Sequence, residues 1–124
     1  MTIYQRMADA FSAAGIPGFF QVWRRTPEYP EIPQKFCAYH IVTERCSLSG
    51  DDRPLVQAYD IAVHIYGTSD LTADIEALCD ALRSRNFLIG LVRGLDDMRA
   101  GDYQYHRRID LTYYDYGLQG QEEE

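Results

Sequence analysis

The chain has 124 residues and a net charge of −7 at pH 7, a length that fits one domain. Concentrated positive charge is scarce: there is one lysine, Lys35, and the adjacent arginine pairs are at 24–25 and 107–108. We therefore exclude sequence-specific nucleic-acid binding, which needs clustered cations to neutralise phosphates. The acidic balance is typical of a protein that stays soluble at high copy number, or that lines a passage to which DNA should not adhere.

The cysteine pattern indicates a reducing compartment. Cys37, Cys46 and Cys79 form an odd set without a CxxC pair, which argues against a disulfide scaffold or a zinc knuckle. The first residues, MTIYQRMADAF, lack the basic-then-apolar layout of a signal peptide, and no apolar run is long enough to span a bilayer. We expect a soluble cytoplasmic protein with no membrane partner.

Residues 3–14 are predicted to form the first helix. Apolar side chains recur there at the helical period, at Ile3, Met7, Phe11 and Ala14. Thr2 and Gln5 match a capping box, in which each side chain bonds a free backbone amide of the first turn. Gly15 and Pro17 follow as a stop signal.

Three strands are predicted next, at residues 18–25, 35–46 and 55–66. The turn-rich segment 47–54 predicts a hairpin between the second and third strands. Prolines at every third position make residues 26–34 unsuited to a sheet. This segment is interpreted either as a connection across one end of the sheet or as an arm that lies on a neighbouring subunit.

The third strand has two different faces. Alternation assigns five residues to the core side: Leu55, Tyr59, Ile61, Val63 and Ile65. Asp60, His64 and Tyr66 lie on the opposite face, which is polar enough to meet water or a partner.

A second helix is predicted to begin at the N-cap Ser69 and to end with Arg83, Arg85 and Asn86, an order that suits the helix dipole. Its buried stripe comprises Leu71, Ile75, Leu78, Cys79 and Leu82. A short strand at 87–92, a polar loop at 93–102 and a long strand at 103–116 follow.

The expected fold class is α+β, with an antiparallel sheet of about four to five strands and two helices packed on one face. Residues 1–120 form the single predicted domain, and residues 121–124 form an acidic disordered tail.

The sequence contains no motif that indicates an enzyme or a cofactor. Phosphate-binding patterns such as GxxxxGK[ST] and GxGxxG are absent, and so is the GxSxG nucleophile elbow. The aspartate pairs at 51–52 and 96–97 lie among turn residues, where adjacent carboxylates are typically solvated.

The histidines suggest one alternative. His40, His64 and His106 lie on three different predicted strands, and on neighbouring strands they could bind a metal near Asp60 or Asp110. None has a second ligand at close spacing, so we interpret each as a partly buried or interfacial histidine and predict no metal. The tyrosines and arginines of the last strand fit either an interface or the ordinary preference of tyrosine for strands.

Segments of residues 33–116 resemble the tail-completion or tail-terminator proteins of long-tailed bacteriophages and prophages. The likeness is carried by AYDIAVHIYGTSDLTADIEALCDALRSRNF, by the later strand YQYHRRIDLTYYDY, and by Pro33 ahead of KFCAYHIV. Residues 60–66, 86–87 and 105–109 correspond to that family's V-D-I-Y, G-F and Y-H-x-x-x-x-F segments. Asn86 stands where a glycine is common.

The resemblance implies about four antiparallel strands with two helices on one face, in a subunit that forms a ring, commonly a hexamer. The ring would cap the tail tube and join it to the head–tail connector. Its partners would be other copies, the major tail tube protein and connector proteins, in the host cytoplasm during assembly and then in the virion tail. A head–tail adaptor or minor tail protein of the same fold, and a small protein-binding module outside phages, are the alternatives.

Two surfaces are predicted to make these contacts. A sheet face would meet the adjacent subunit, and a loop within 93–102 would meet the tube or the connector. The predicted contact residues are Asp60, His64, Tyr66, His106, Arg108 and Asp110 on the sheet, and Asp96, Asp97 and Arg99 in the loop.

Overall fold

The computed structural model describes residues 2–22, 27, 30–31, 33–50, 53–94, 103 and 105–116, with the backbone alone at 46–50, 53–55 and 116. It confirms the α+β class, with five strands and two helices. In chain order the elements are α1 (Ile3–Ala14), β1 (Gly18–Phe20), β2 (Lys35–Gly50), β3 (Arg53–Gly67), α2 (Thr72–Arg83), β4 (Leu88–Gly94) and β5 (Tyr105–Tyr116).

The sheet has the strand order β1-β2-β3-β5-β4, and it is mixed, with one parallel pair. Three of the four strand pairs are antiparallel as predicted, and the fourth differs: β1 runs parallel to β2 with Gly18 opposite Cys37. A parallel pair needs a crossover connection of a dozen or more residues, and residues 21–34 provide that length. β1 is also shorter than predicted: it ends at Phe20, and Gln21 follows with φ 71°, a left-handed conformation that interrupts a strand. Residues 23–25 lie outside the described residues.

The predicted hairpin of β2 and β3 is confirmed, but its strands are longer than expected. Residues 47–50 and 53–54, predicted as part of a turn, continue the two strands. The turn residues there pair along the ladder because backbone hydrogen bonds do not require an apolar side chain.

A bulge in β2 decides which of its side chains face the helices. The register shifts between Ile41, opposite Ile61, and Thr43, opposite Asp60. Since successive side chains alternate between faces, an unbroken register would have sent Thr43 to the helix side. The extra residue at the bulge brings Thr43 and Arg45 onto the face away from the helices.

The core lies between the two helices and one face of the sheet. Its strand residues come from one side of the pleat: Cys37, Tyr39, Ile61, Val63, Ile65, Ile109, Leu111 and Tyr113. α1 contributes Ile3, Met7 and Phe11, as predicted, while Ala14 is half-buried. The capping box is also confirmed: Gln5 N donates to Thr2 Oγ1 (3.2 Å), and Thr2 N donates to Gln5 Oε1 (2.7 Å).

α2 is confirmed in position, but its predicted N-cap Ser69 is wrong. The helix begins after Leu71, and Asp70 Oδ1 accepts hydrogen bonds from Thr72 N (3.2 Å) and Thr72 Oγ1 (2.9 Å). A carboxylate accepts these bonds more strongly than a hydroxyl does. Asn86 follows the helix with φ 69°, a left-handed position that asparagine and glycine tolerate best.

The last two strands match their predicted positions closely. β4 begins one residue after the predicted start, and β5 begins at Tyr105, with Tyr103 as an isolated bridge residue. Residues 95–102 and the tail from residue 117 lie outside the described residues. No helix in the described part of the chain is long and apolar enough to cross a membrane.

Candidate functional site

The candidate site is the sheet face opposite the helices, which we call the open face. Strand register assigns its members, because residues paired across strands point to the same side. On β2 and β3 they are Phe36, Ala38, His40, Thr43, Arg45, Ala58, Asp60, Ala62, His64 and Tyr66. On β5 and β4 they are His106, Arg108, Asp110, Thr112, Tyr114, Leu88, Leu91 and Arg93.

The structure brings the six sheet residues predicted from the sequence together on this face. Asp60, His64 and Tyr66 lie on β3, directly opposite Thr112, Arg108 and His106 of β5. Asp110 lies between Arg108 and Thr112 on β5 and pairs with Ala62. The predicted loop residues Asp96, Asp97 and Arg99 lie outside the described residues.

One end of the open face is a cluster of rings. Tyr66 stacks on His106, with centroids 4.4 Å apart and planes at 21°, and on Phe36 at 5.2 Å and 26°. Tyr103 meets Phe36 edge-on at 5.4 Å, and its hydroxyl donates a hydrogen bond to the carbonyl oxygen of Pro33. The cluster therefore ties the segment before β2 and the segment before β5 to the sheet.

The three histidines lie on one face of adjacent strands, as a metal site would require. His40 stacks on His64 with centroids 5.9 Å apart and planes at 15°. His64 Nδ1 lies 2.8 Å from His106 Nε2, a hydrogen-bond distance. In the described part of the chain no group of three histidine, cysteine, aspartate or glutamate side chains could hold a metal ion. These rings stack and bond with one another.

His64 is held in its neutral form at neutral pH. Burial, together with the charges of His106, Arg108 and His40, lowers its pKa from 6.5 to about 4, while Asp110 acts in the opposite direction. With His64 neutral, one of the two nitrogens in the His64–His106 contact donates and the other accepts.

Asp60 is the centre of the polar half of the open face. It accepts hydrogen bonds from Thr43 Oγ1 (2.6 Å), Arg45 Nε (3.0 Å), Arg45 Nη2 (3.2 Å) and Thr112 Oγ1 (3.0 Å). The bonds from Arg45 and Thr43 hold the pKa of Asp60 well below its usual range. Bonds to Asp60 and Tyr114 raise the pKa of Arg45 in turn. Four donors saturate this carboxylate, so Asp60 joins β2, β3 and β5 as a structural group.

A second carboxylate is bonded in the same way. Arg108 Nε lies 2.8 Å from Asp110 Oδ1, and Arg93 Nη2 lies 3.4 Å from Asp110 Oδ2. Between the two acidic groups is an open depression of about 260 Å³. Its lining is Val42, Asp60, Ile61, Gly90, Arg93, Arg108, Asp110, Leu111 and Thr112. Both of its carboxylates are engaged with arginine side chains.

Sequence reasoning missed the exposed apolar side chains at the edges of the sheet. Seven large apolar residues are between 39% and 56% exposed: Tyr4, Phe20, Val22, Val42, Leu88, Leu91 and Val92. Leu88, Leu91 and Val92 lie on β4, one terminal strand, and Phe20 lies on β1, the other. Tyr4 contacts Phe20 edge-on at 4.9 Å. The sequence LIGLV was interpreted as an ordinary short apolar strand, and its terminal place depends on the strand order.

No protein-family model matches this sequence, and no curated protein matches it.

Proposed function

We propose that this chain is a structural subunit of a bacteriophage tail, which forms a ring that caps the tail tube and joins it to the head–tail connector. The observation that carries the proposal is the placement of the exposed apolar side chains. In the described residues they lie at both edges of the sheet, with Tyr4 and Phe20 at the β1 edge and Leu88 and Leu91 at the β4 edge.

Two different apolar edges favour head-to-tail association. Contiguous apolar surface on a small protein typically marks an interaction site. Because the β1 and β4 edges have different residues, each would contact the other on a neighbouring copy and not itself. Such a heterologous contact produces a closed ring when the rotation between copies closes.

The open face supports the same role. Asp60, Arg108 and Asp110 have their charges bonded within the subunit, and His64 is neutral. Groups fixed in this way lose little conformational entropy when another surface docks on them. We therefore keep these residues as the proposed polar contacts of the subunit, beside the apolar edges.

The charge of the chain fits assembly on a template. A net charge of −7 makes copies repel one another in free solution. A tube end that binds several copies raises their effective concentration and favours contacts that are weak between free subunits. The proposed partners are other copies, the tube protein and the connector, and the proposed locations are the host cytoplasm and the virion tail.

Electron microscopy tests the proposal directly. Tail tubes assembled without this protein are mixed with the purified chain, and we expect a ring of density at one end of each tube. Tubes given the protein should also stop elongating when more tube subunits are added. Tubes that stay uncapped at saturating protein, and that continue to grow, would refute the proposed function.

A further inference from the structure

We propose that neighbouring copies of this chain join by antiparallel pairing of β4 of one copy with the free edge of β2 of the next. The inference deepens the proposed ring function and rests on it for its biological setting. The strand joint itself can be tested in solution without tail tubes.

β4 is a terminal strand with little protection against pairing. One side bonds to β5, from Leu88 opposite Thr112 to Gly94 opposite Arg107, and the other side meets no strand among the described residues. Natural edge strands are usually guarded by lysine, proline or bulges. β4 has a bulge at Gly90 but neither lysine nor proline, and its single charge, Arg93, is bonded to Asp110.

β2 offers a second unpaired edge on the opposite side of the sheet. β1 covers residues 37–39 of β2, and Gln21 N donates to Tyr39 O at 2.6 Å just beyond it. From residue 40 to residue 50, the outer side of β2 meets no strand in the described part of the chain. This free stretch is longer than the seven residues of β4.

The strand directions determine how the two edges meet. β2, β3, β5 and β4 are joined by three successive antiparallel pairs, so β4 runs opposite to β2. Rotation about an axis along the strands preserves these directions in every copy of a ring. β4 and the β2 of the next copy are therefore antiparallel, and the sheet continues across the joint.

The exposed apolar side chains match on both faces of that joint. Leu88 and Leu91 lie on the open face, and Val42 lines the open-face depression, so the joint brings them to the same side. Val92 lies on the helix face, because its partner is the core residue Ile109.

The opposite edge has apolar side chains on that helix face too. Phe20 pairs with the core residue Tyr39, 5.3 Å away between ring centroids, and Tyr4 of α1 packs on Phe20. In the antiparallel joint, the Val92 end of β4 lies next to β1 of the neighbouring copy. Apolar surface thus meets apolar surface on both sides of one continuous sheet.

The test uses two variants that each block one edge. Leu91→Lys places a charge on β4, and Val42→Lys places a charge on β2. Ala73→Lys adds the same charge on the exposed surface of α2 and serves as the control. Native mass spectrometry and light scattering over a concentration series, with salt to screen the net charge, measure association. Thermal unfolding verifies that each variant remains folded.

We expect the unaltered chain to associate as concentration rises. Each edge variant should weaken association by roughly tenfold to a hundredfold, because each loses the burial of an apolar side chain and buries a charge. The Ala73→Lys control should associate as the unaltered chain does. A mixture of the two edge variants should form a one-to-one pair that does not grow, since only one intact β4 and one intact β2 remain to combine.

Three results would overturn the joint. The unaltered chain could stay monomeric at the highest concentration, or Val42→Lys could associate normally while Leu91→Lys does not, as a symmetric β4–β4 contact requires. The mixed variants could also fail to pair. If both edge variants still cap tail tubes, the joint is wrong while the ring function stands. If the joint forms but tubes stay uncapped, the ring function is wrong while the joint stands.

Discussion

Acidification from pH 7.5 to pH 5 should destabilise the protein through His64. The folded chain holds the pKa of this ring at about 4, against an ordinary value of 6.5, so the unfolded chain binds the proton more readily. Stability from a lowered histidine pKa is complete above 6.5 and is lost as the pH falls toward 4. Linkage over that interval gives a loss of at most about 2 kcal/mol at pH 5, which solvent screening of this half-buried ring reduces.

The lowered pKa of His64 arises from its burial and from its position beside His106 and Arg108. Its Nδ1 shares a hydrogen bond with His106 Nε2, and Arg108 lies directly opposite on β5. A proton on both rings would remove the acceptor from that bond and add a second positive charge beside a guanidinium. Asp60 adds little pH dependence of stability between pH 5 and pH 7.5. Its pKa is lowered in the folded chain, so its contribution to stability is complete above about pH 3.8.

Urea unfolding at a series of pH values measures the effect. The unaltered chain should lose about 1–2 kcal/mol between pH 7.5 and pH 5. His64→Phe retains an aromatic ring without a titrating nitrogen and should lose most of that slope. His40→Phe removes an exposed histidine at the end of the same stack and should retain most of the slope, because its charge lowers the pKa of His64 less than burial, His106 and Arg108 do. An unchanged slope in His64→Phe would show that the pH dependence has another origin.

Two further substitutions test the hydrogen bonds to Asp60 and the packing of α1 against the sheet, each against a matched control. Asp60→Asn should cost about 1–2 kcal/mol of unfolding free energy, discounted for the partial exposure of the carboxylate, because charge-assisted bonds are lost. Asp80→Asn, on the exposed surface of α2, should change the free energy of unfolding by less than about 0.5 kcal/mol. Equal losses in the two variants would show that the hydrogen bonds to Asp60 do not stabilise the fold. Gly18→Ala should reduce the free energy of unfolding by about 1–3 kcal/mol, and so lower the melting temperature, because the new Cβ would overlap the ring of Phe11. Gly90→Ala has its nearest contact at 3.5 Å and should be tolerated, so a melting temperature that falls equally in both variants would contradict the steric explanation.

The parts of the fold that depend on local sequence could be predicted. The capping box of Thr2 and Gln5 and the apolar period of α1 act within a few residues, so they appear in the sequence itself. The alternation in β3 likewise separated Asp60 and His64 from the core residues. Ser69 was the wrong N-cap because the helix begins later, after Leu71, and capping propensity alone does not choose between neighbouring residues.

The features that depend on strand pairing could not be predicted. The direction of β1 depends on the path of residues 21–34, and the terminal place of β4 depends on the strand order. The bonds to Asp60 require the bulge after Ile41, which turns Thr43 and Arg45 toward the open face. A bulge of one residue has no sequence signature here, so alternation alone would have assigned Arg45 to the helix side.

The open face and the edges of the sheet differ in the groups that remain able to bond a partner. On the open face, the carboxylates of Asp60 and Asp110 are already bonded to arginines of the same chain. A partner that docks there therefore gains little new electrostatic energy. At the edges, the outward backbone groups of β4 and of residues 40–50 of β2 meet no strand among the described residues, and each pairing that forms there adds hydrogen bonds and buries apolar area. The proposed assembly should therefore be driven at the edges, while the open face adds weaker polar contacts and maintains the shape of the sheet that the edges extend. A chain with this division should associate only weakly in free solution, because one seven-residue strand buries little surface, and should close the proposed ring when a template holds several copies together.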